Sequence, residues 1–336
     1  MLYVKALNQT LRRLLATDPR VILLGEDIAD PYGGAFKVTK GLSSAFPSRV
    51  LTTPVSEAAI AGISSGLALA GFRPVTEFMF GDFMSLCFDQ VLNHITKFQA
   101  MYDGQVTCPV IMRSPMGGGR AYGATHSQSL EKYYLGVPGL TVVAASLVQP
   151  PDPLFDAFLA GDSPILFVEH KMLYGQECRF PTDGRCGRME ADVVASPGFL
   201  PTVFVRPVER SACCVTILAY GQAATVAVDL AESLALEREI FVEVVVPAQI
   251  APMDWAALES AVAGTGRVVI CEEGTAGWNW GSEVAAELCA RLHGRLSCPV
   301  YRVSSDRATI PSSKTLEGQM LLGRERVLAA IQAILT

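Results

Sequence analysis

The chain has 336 residues, of which 50% are hydrophobic and only 18% charged, with a net charge of −6 and a mean hydropathy of +0.32. That length allows two domains, and an acidic balance without any basic run argues against a nucleic-acid-binding protein. The charge-free runs Tyr133–Pro151 and Ser211–Val228 are interrupted, the first by Pro138, Gly139 and Pro150 and the second by Tyr220-Gly221-Gln222, so neither reads as a membrane-spanning helix.

The first segment carries Arg12 and Arg13 on an amphipathic stretch without an apolar signal core, so a soluble cytoplasmic protein is the starting expectation. The nine cysteines are odd in number, show no Cys-x-x-Cys pair and sit mostly in apolar runs. They read as reduced core residues. Four histidines without ligand spacing give no metal cluster.

In chain order, residues 3 to 16 read as an amphipathic helix and Val21 to Gly25 as a buried strand. A Gly- and Pro-rich loop runs through Gly33-Gly34. A strand at Arg49–Thr52 then leads into a helix that opens at Glu57. Arg73–Phe78 reads as a strand, about Phe83 to Ala100 as a helix, and Cys108–Arg113 as a strand. The irregular stretch Ser114–Gln128 contains Gly117, Gly118, Gly119 and Gly123, which implies special backbone angles or close approach to something. No Gly-Lys-Ser/Thr follows, so it is not a P-loop. Strands at Leu140–Ala144 and Pro164–Glu169 flank another helix. The alternation breaks between about 175 and 210, where Pro181, Gly184, Pro197, Gly198 and Pro201 are loop chemistry. It then resumes, with strands near 213–220, 240–246, 267–272 and 298–303 and helices near 222–236, 254–262, 281–292 and 322–334. The pattern predicts mainly parallel, covered sheets in two α/β units.

The stretch Thr53-Pro54-Val55-Ser56-Glu57 organises the first half. It starts a helix with one acid at its mouth and no charge from Ala58 to Phe72. Gly62, Ser65 and Gly66 would let another backbone come close, so the helix is expected to be buried.

These pieces occur in a telling order: Leu24-Gly25-Glu26-Asp27, Gly33-Gly34-Ala35-Phe36-Lys37, Thr53-Pro54-Val55-Ser56-Glu57, Gly71-Phe72-Arg73-Pro74-Val75-Thr76-Glu77, Asp82-Phe83, Phe88-Asp89-Gln90, His126-Ser127-Gln128-Ser129 and Pro138-Gly139-Leu140. Together they resemble the β subunit of the thiamine-diphosphate-dependent first component of 2-oxoacid dehydrogenase complexes (the pyruvate, branched-chain and acetoin enzymes), which is related to transketolase. The match is dense to about Gly175 and colinear to about Glu317. The resemblance implies an α/β fold: a pyrimidine-type thiamine-diphosphate-binding domain over 1–185 with a mainly parallel sheet, a linker at 186–210, and a transketolase C-terminal-like α/β assembly domain over 211–336.

It also implies roles. Glu57 is the acid that hydrogen-bonds the cofactor's pyrimidine ring, and a fixed, desolvated carboxylate suits that task. Phe83 packs against the ring and Met79 lines the same pocket. His126 faces the reacting centre. In the family, Mg²⁺ holds the diphosphate through a Gly-Asp-Gly stretch and a later Asn. Here Gly81-Asp82 and Gly161-Asp162 lack the third glycine, and the three asparagines (Asn8, Asn93, Asn279) do not follow at that distance. The resemblance therefore implies that an α subunit supplies the Mg²⁺ ligands, in an α2β2 heterotetramer, and it allows a structural potassium ion held by backbone carbonyls. A lipoyl acyltransferase or an acyl carrier protein are candidate further partners.

After Leu316-Glu317 the chain departs from the family pattern, reading Gly318-Gln319-Met320-Leu321-Leu322-Gly323. Three functions stay open: the β subunit of a 2-oxoacid decarboxylase/dehydrogenase, the β half of a split transketolase-like enzyme that moves a two-carbon ketol unit, and a non-catalytic structural subunit. Retention of Glu57, Phe83 and His126 argues against the last.

Overall fold

The computed structural model describes all residues except 182, 187 and 209–212. The first half runs α1 (Tyr3–Thr17), β1 (Val21–Glu26), α2 (Leu42–Ala45), β2 (Val50–Thr53), α3 (Glu57–Leu69), β3 (Arg73–Glu77), α4 (Phe98–Met101), β4 (Ile111–Met116), β5 (Thr141–Ala144), α5 (Pro151–Ala160) and β6 (Ile165–His170). The rest runs β7 (Arg185–Cys186), β8 (Met189–Val194), β9 (Thr202–Pro207), β10 (Val215–Ala219), α6 (Gly221–Arg238), β11 (Val242–Pro247), β12 (Gln249–Ala251), α7 (Trp255–Thr265), β13 (Val268–Thr275), α8 (Trp280–Arg291), β14 (Tyr301–Ser305), α9 (Lys314–Met320) and α10 (Arg324–Leu335).

Two seven-stranded sheets result, in the orders β12-β5-β6-β4-β3-β1-β2 and β14-β13-β10-β11-β9-β8-β7. The first is parallel except for β12, which lies antiparallel on β5. That edge strand comes from the second half of the chain. One apolar cluster runs from Leu24, Ile60 and Phe78 to Trp280 and Val284, so the halves share a core. None of the described helices is long and apolar enough to cross a membrane.

Three expectations need correction. Residues 186–210, read as a linker, carry β8 and β9, which extend the second sheet as an antiparallel meander. Met189 and Ala191 alternate with more exposed neighbours at the start of β8, and β9 is buried continuously from Thr202 to Val205. The prolines and glycine that suggested a linker form the turn between them. The expected junction at 210–211 lies outside the described residues. Second, the helix expected over 83–100 is a 3₁₀ helix at Gly81–Cys87, a π-helix at Gln90–Ile95 and the short α4. The Thr96 amide and hydroxyl both donate to the Val91 carbonyl five residues back, which holds the wider turn open. Third, only Cys87, Cys108, Cys186 and Cys271 among the nine free cysteines are buried, and Cys289 is exposed.

The first sheet is pinned by a buried ionic triad across three neighbouring strands. Arg113 on β4 donates to both oxygens of Glu169 on β6 at 2.6 and 2.9 Å and to Glu77 on β3 at 2.9 Å. Tyr174 adds a hydroxyl donor to Glu169 at 2.5 Å. Burial pushes the Glu77 carboxyl upward and Arg113 pulls against it. Breaking such a buried set by removing its one cation typically costs about 3–5 kcal/mol. Arg113→Met is therefore expected to lower the thermal midpoint by roughly 10 °C. A midpoint equal to that of the native chain would show that the triad does not hold the sheet.

Candidate active site

In a parallel sheet, ligands bind outside the carboxyl ends of the strands, where the strand order switches direction. Here β2 lies on one side of β1 and β3 on the other. The residues that follow β1, β2, β3, β4 and β6 at this end are the chemically distinctive ones: Glu26, Glu57, Met79 with Phe80, the glycine loop, and Lys171.

Glu57 is the first residue of α3 and is buried at 4% exposure. α3 is seated by its inner face: Ser64 shares a 2.7 Å hydrogen bond with Thr76 of β3 and donates to the Ile60 carbonyl. Its outer face is open, contrary to the expectation of a buried helix. Ala59, Gly62, Ile63, Gly66 and Leu69 are exposed, and a methyl group on Gly62 or Gly66 would meet nothing within 4 Å.

Among the described residues, no donor reaches the Glu57 carboxylate. What faces it is a second buried acid, Glu26. Desolvation first, then the charges of Glu57 and Asp27, push the Glu26 carboxyl up to about 7, while the Ser56 amide works in the opposite direction. One Glu26 oxygen is buried without a partner. Two facing carboxylates have only acceptors, so a proton on Glu26 supplies the missing donor.

Phe83, on the 3₁₀ helix that packs against α3, meets the imidazole of His126 edge-on at 5.1 Å between centroids. The structure thus brings Phe83 and His126 together and sets Glu57 against the same helix, where its charge also raises the Cys87 thiol beyond the effect of burial. Met79 is half-buried between β3 and this helix and makes no polar contact among the described residues.

Sequence reasoning missed Phe80, the centre of the aromatic cluster. Its ring lies 4.9 Å from that of His126, 5.7 Å from Phe36, 5.8 Å from Phe83 and 6.2 Å from Tyr122. It also missed Lys171. This side chain is fully buried, stands 5.3 Å from the Phe80 centroid and donates to the His126 carbonyl at 2.6 Å. Burial draws its ammonium down to about 8, with Asp82 and Glu273 opposing. The available signal was position: Glu169-His170-Lys171 follows an apolar strand directly, and charge in such a place is rarely left to solvent.

The two Gly-Asp pairs are engaged elsewhere. Gln128 donates to Asp82 at 2.8 Å, and Asp162 pairs with Arg73 at 3.2 Å. A concavity of about 1100 Å³ lies in the second half around Arg206, Asp192 and Glu243 and contains none of these residues. We place the candidate site by its chemistry rather than by that volume.

The Glu26 carboxyl holds its proton more tightly folded than unfolded. Between its ordinary 4.5 and about 7 the folded chain carries the extra proton, so stability falls as pH rises through this window. The shift amounts to about 3 kcal/mol. Glu26→Gln removes that titration, so the variant's thermal midpoint is expected to gain on the native chain's from about pH 5 to about pH 8. A difference constant across the range would contradict the buried pair.

Comparison with known proteins gives the family. The family model for the transketolase pyrimidine binding domain matches residues 1–177, and that for the transketolase C-terminal domain matches residues 206–327. The chain is 33% identical over 335 residues to the "Acetoin:2,6-dichlorophenolindophenol oxidoreductase subunit beta" of Cupriavidus necator, covering 97% of this chain and 94% of that one. It is 36% identical over 329 residues to the "Pyruvate dehydrogenase E1 component subunit beta" of Leifsonia xyli subsp. xyli, covering 98% and 93%. It is 32% identical over 333 residues to the "3-methyl-2-oxobutanoate dehydrogenase subunit beta" of Mycobacterium tuberculosis, covering 99% and 91%. A solved structure titled "Split gene transketolase, inactive beta4 tetramer" superposes with a TM-score of 0.76 over 100% of this chain and 99% of that one, at 22% identity, a likeness of fold alone. The chain belongs to the transketolase-type, thiamine-diphosphate-dependent family, among the β subunits of its 2-oxoacid dehydrogenase branch.

Proposed function

We propose that this chain is the β subunit of a thiamine-diphosphate-dependent 2-oxoacid decarboxylase/dehydrogenase and that Glu57 is the acid that activates the cofactor. The observation that carries the reading is the buried Glu57 carboxylate, which a second, proton-holding acid backs from one side and to which no N–H of the described residues donates. Such a group is an acceptor waiting for a donor from a ligand. A protonated pyrimidine nitrogen fits it, with Phe83 and Met79 against the ring. When bound, thiamine diphosphate supplies a carbanion centre at which a 2-oxo acid can lose CO₂. The protein's part is to hold Glu57 desolvated, to keep water out with the Phe80–Phe83–His126 aromatics, and to present His126 beside the reacting centre.

On this reading residues 1–185 serve the pyrimidine side of the cofactor and 211–336 serve assembly. An α subunit holds the diphosphate through Mg²⁺ in an α2β2 heterotetramer, working in the cytoplasm. The pairing of Asp162 with Arg73 supports a partner for the metal. The uncharged outer face of α3 supports a partner surface directly beside Glu57: Val55 is 78%, Ile63 50% and Leu69 42% exposed. A potassium ion on backbone carbonyls, and delivery of the acyl group to a lipoyl acyltransferase or an acyl carrier protein, belong to the same proposal. Transfer of a two-carbon ketol unit is the second reading, favoured by the departure at Gly318–Gly323.

The test is turnover by the chain co-assembled with its α partner, using a dye acceptor, 2-oxo acids and ketose phosphates. Dye reduction with a 2-oxo acid is expected, and Glu57→Gln should lower it by roughly 10²–10⁴-fold with assembly intact. Near-normal turnover in that variant would remove Glu57 from the mechanism. Turnover of ketose phosphate alone would move the chain to the ketol-transfer reading, and no turnover of either to a structural role. The purified chain without its partner is expected to bind thiamine diphosphate weakly. Tight Mg²⁺-dependent binding by this chain alone would contradict the shared site.

A further inference from the structure

We propose that Glu273 and Glu317, both in the second half of the chain, are positioning residues that set the backbone of the loop carrying His126. The loop's ends are fastened within the first half. The Gly117 amide donates to the Gln128 carbonyl at 3.0 Å, Gln128 donates to Asp82, and Lys171 grips the carbonyl of His126. Its middle is fastened from the second half. The Gly118 amide donates to Glu273 at 2.7 Å, and the Ala121 amide donates to Glu317 at 2.7 Å. Ala121 has a positive φ of 57°, a backbone state that needs such support.

The glycine run follows from this closure. A Cβ on Gly117 would lie 2.0 Å from His170 Nε2, and one on Gly118 would lie 2.6 Å from Leu321 Cδ1 and 3.1 Å from Glu317 Oε1. Gly118 makes room for Leu321 and Glu317 of the second half, and Gly117 for His170 together with Glu273, whose Oε1 would lie 2.8 Å from its Cβ. Glu273 is itself fixed. His170 Nδ1 accepts from the Met172 amide at 3.1 Å, so its Nε2–H donates to Glu273 at 2.7 Å. Burial alone would raise the Glu273 carboxyl; His170, the Gly118 amide and Lys171 overcome it and hold the group below its usual range. Glu317 is 1% exposed and reaches the loop from α9. A carboxylate taking a backbone N–H in a dry interface is a short, directional contact. A shift of about 1 Å in a catalytic group can cost roughly 10²-fold in rate.

The catalytic consequence rests on the role given to His126; the clamp itself does not. The test uses the assembled enzyme. In Glu317→Ala, amide hydrogen exchange across 117–126 is expected to rise by about tenfold or more, with peptides from α10 and β1 unchanged. Its kcat should fall by roughly 10–100-fold. Glu317→Gln keeps an acceptor oxygen for the Ala121 amide and should restore most of both. Unchanged loop exchange in Glu317→Ala, exchange raised equally in α10, or a mobile loop with full kcat would each overturn the proposal. His126→Ala, measured alongside, separates the claims. Full turnover there removes the catalytic role of the histidine, whereas a silent Glu317→Ala removes the clamp.

Discussion

A buried carboxylate faced by a second buried acid is the constraint on which the site depends. Glu57 begins a helix that has no charge of its own, and the acid behind it, Glu26, is pushed up to about 7. Neither arrangement helps the chain to fold. Burying a polar group without a partner costs stability, so it persists where the rest of the structure over-determines it. The first sheet does that: five strand ends converge on the region, and the Arg113 triad locks three of the strands together beneath it.

Charge in this protein is scarce, and several buried charged residues sit in or just after apolar strands. Glu26, Arg113, Glu169, Lys171, Glu272 and Glu273 all sit within or directly after strands that are otherwise apolar and buried. Each is matched to a task. Arg113 and Glu169 tie strands together, Lys171 holds the His126 carbonyl, and Glu273 joins the two halves through the glycine loop. The acidity of this interior is visible in Glu272, whose carboxyl burial pushes up to about 8. The second half supplies an edge strand to the first sheet, part of the shared core, and two carboxylates to the glycine loop.

Most of the fold was legible in the sequence because its elements are periodic and its glycines and prolines fall between them. α1, β1, β3, β6 and α6 sit where their patterns placed them, to within a residue or two. What was not legible depended on tertiary contacts. The 83–100 helix breaks because Thr96 captures a carbonyl five residues back. β8 and β9 are short strands that flank a turn rich in Pro and Gly and are held by pairing with each other and with β11. β12 is three residues long and makes sense only as an edge on a distant strand. For the site, Phe83 and His126 were named from the family likeness and the structure puts their rings in contact, while Phe80, which touches both, was not singled out. The three consecutive glycines implied special backbone angles or a close approach, but not to what, since His170 and Leu321, which fill the space, are 53 and more residues away in the chain.

The central claim is that Glu57 activates the cofactor from a desolvated position. It is tested most directly by the rate of deuterium exchange at the thiazolium ring proton of thiamine diphosphate, in the α–β assembly, for the native chain and for Glu57→Gln. The account predicts fast exchange in the native assembly and a slowing of roughly 10²–10⁴-fold in the variant, with the cofactor still bound. Equal exchange rates in the two assemblies would contradict it.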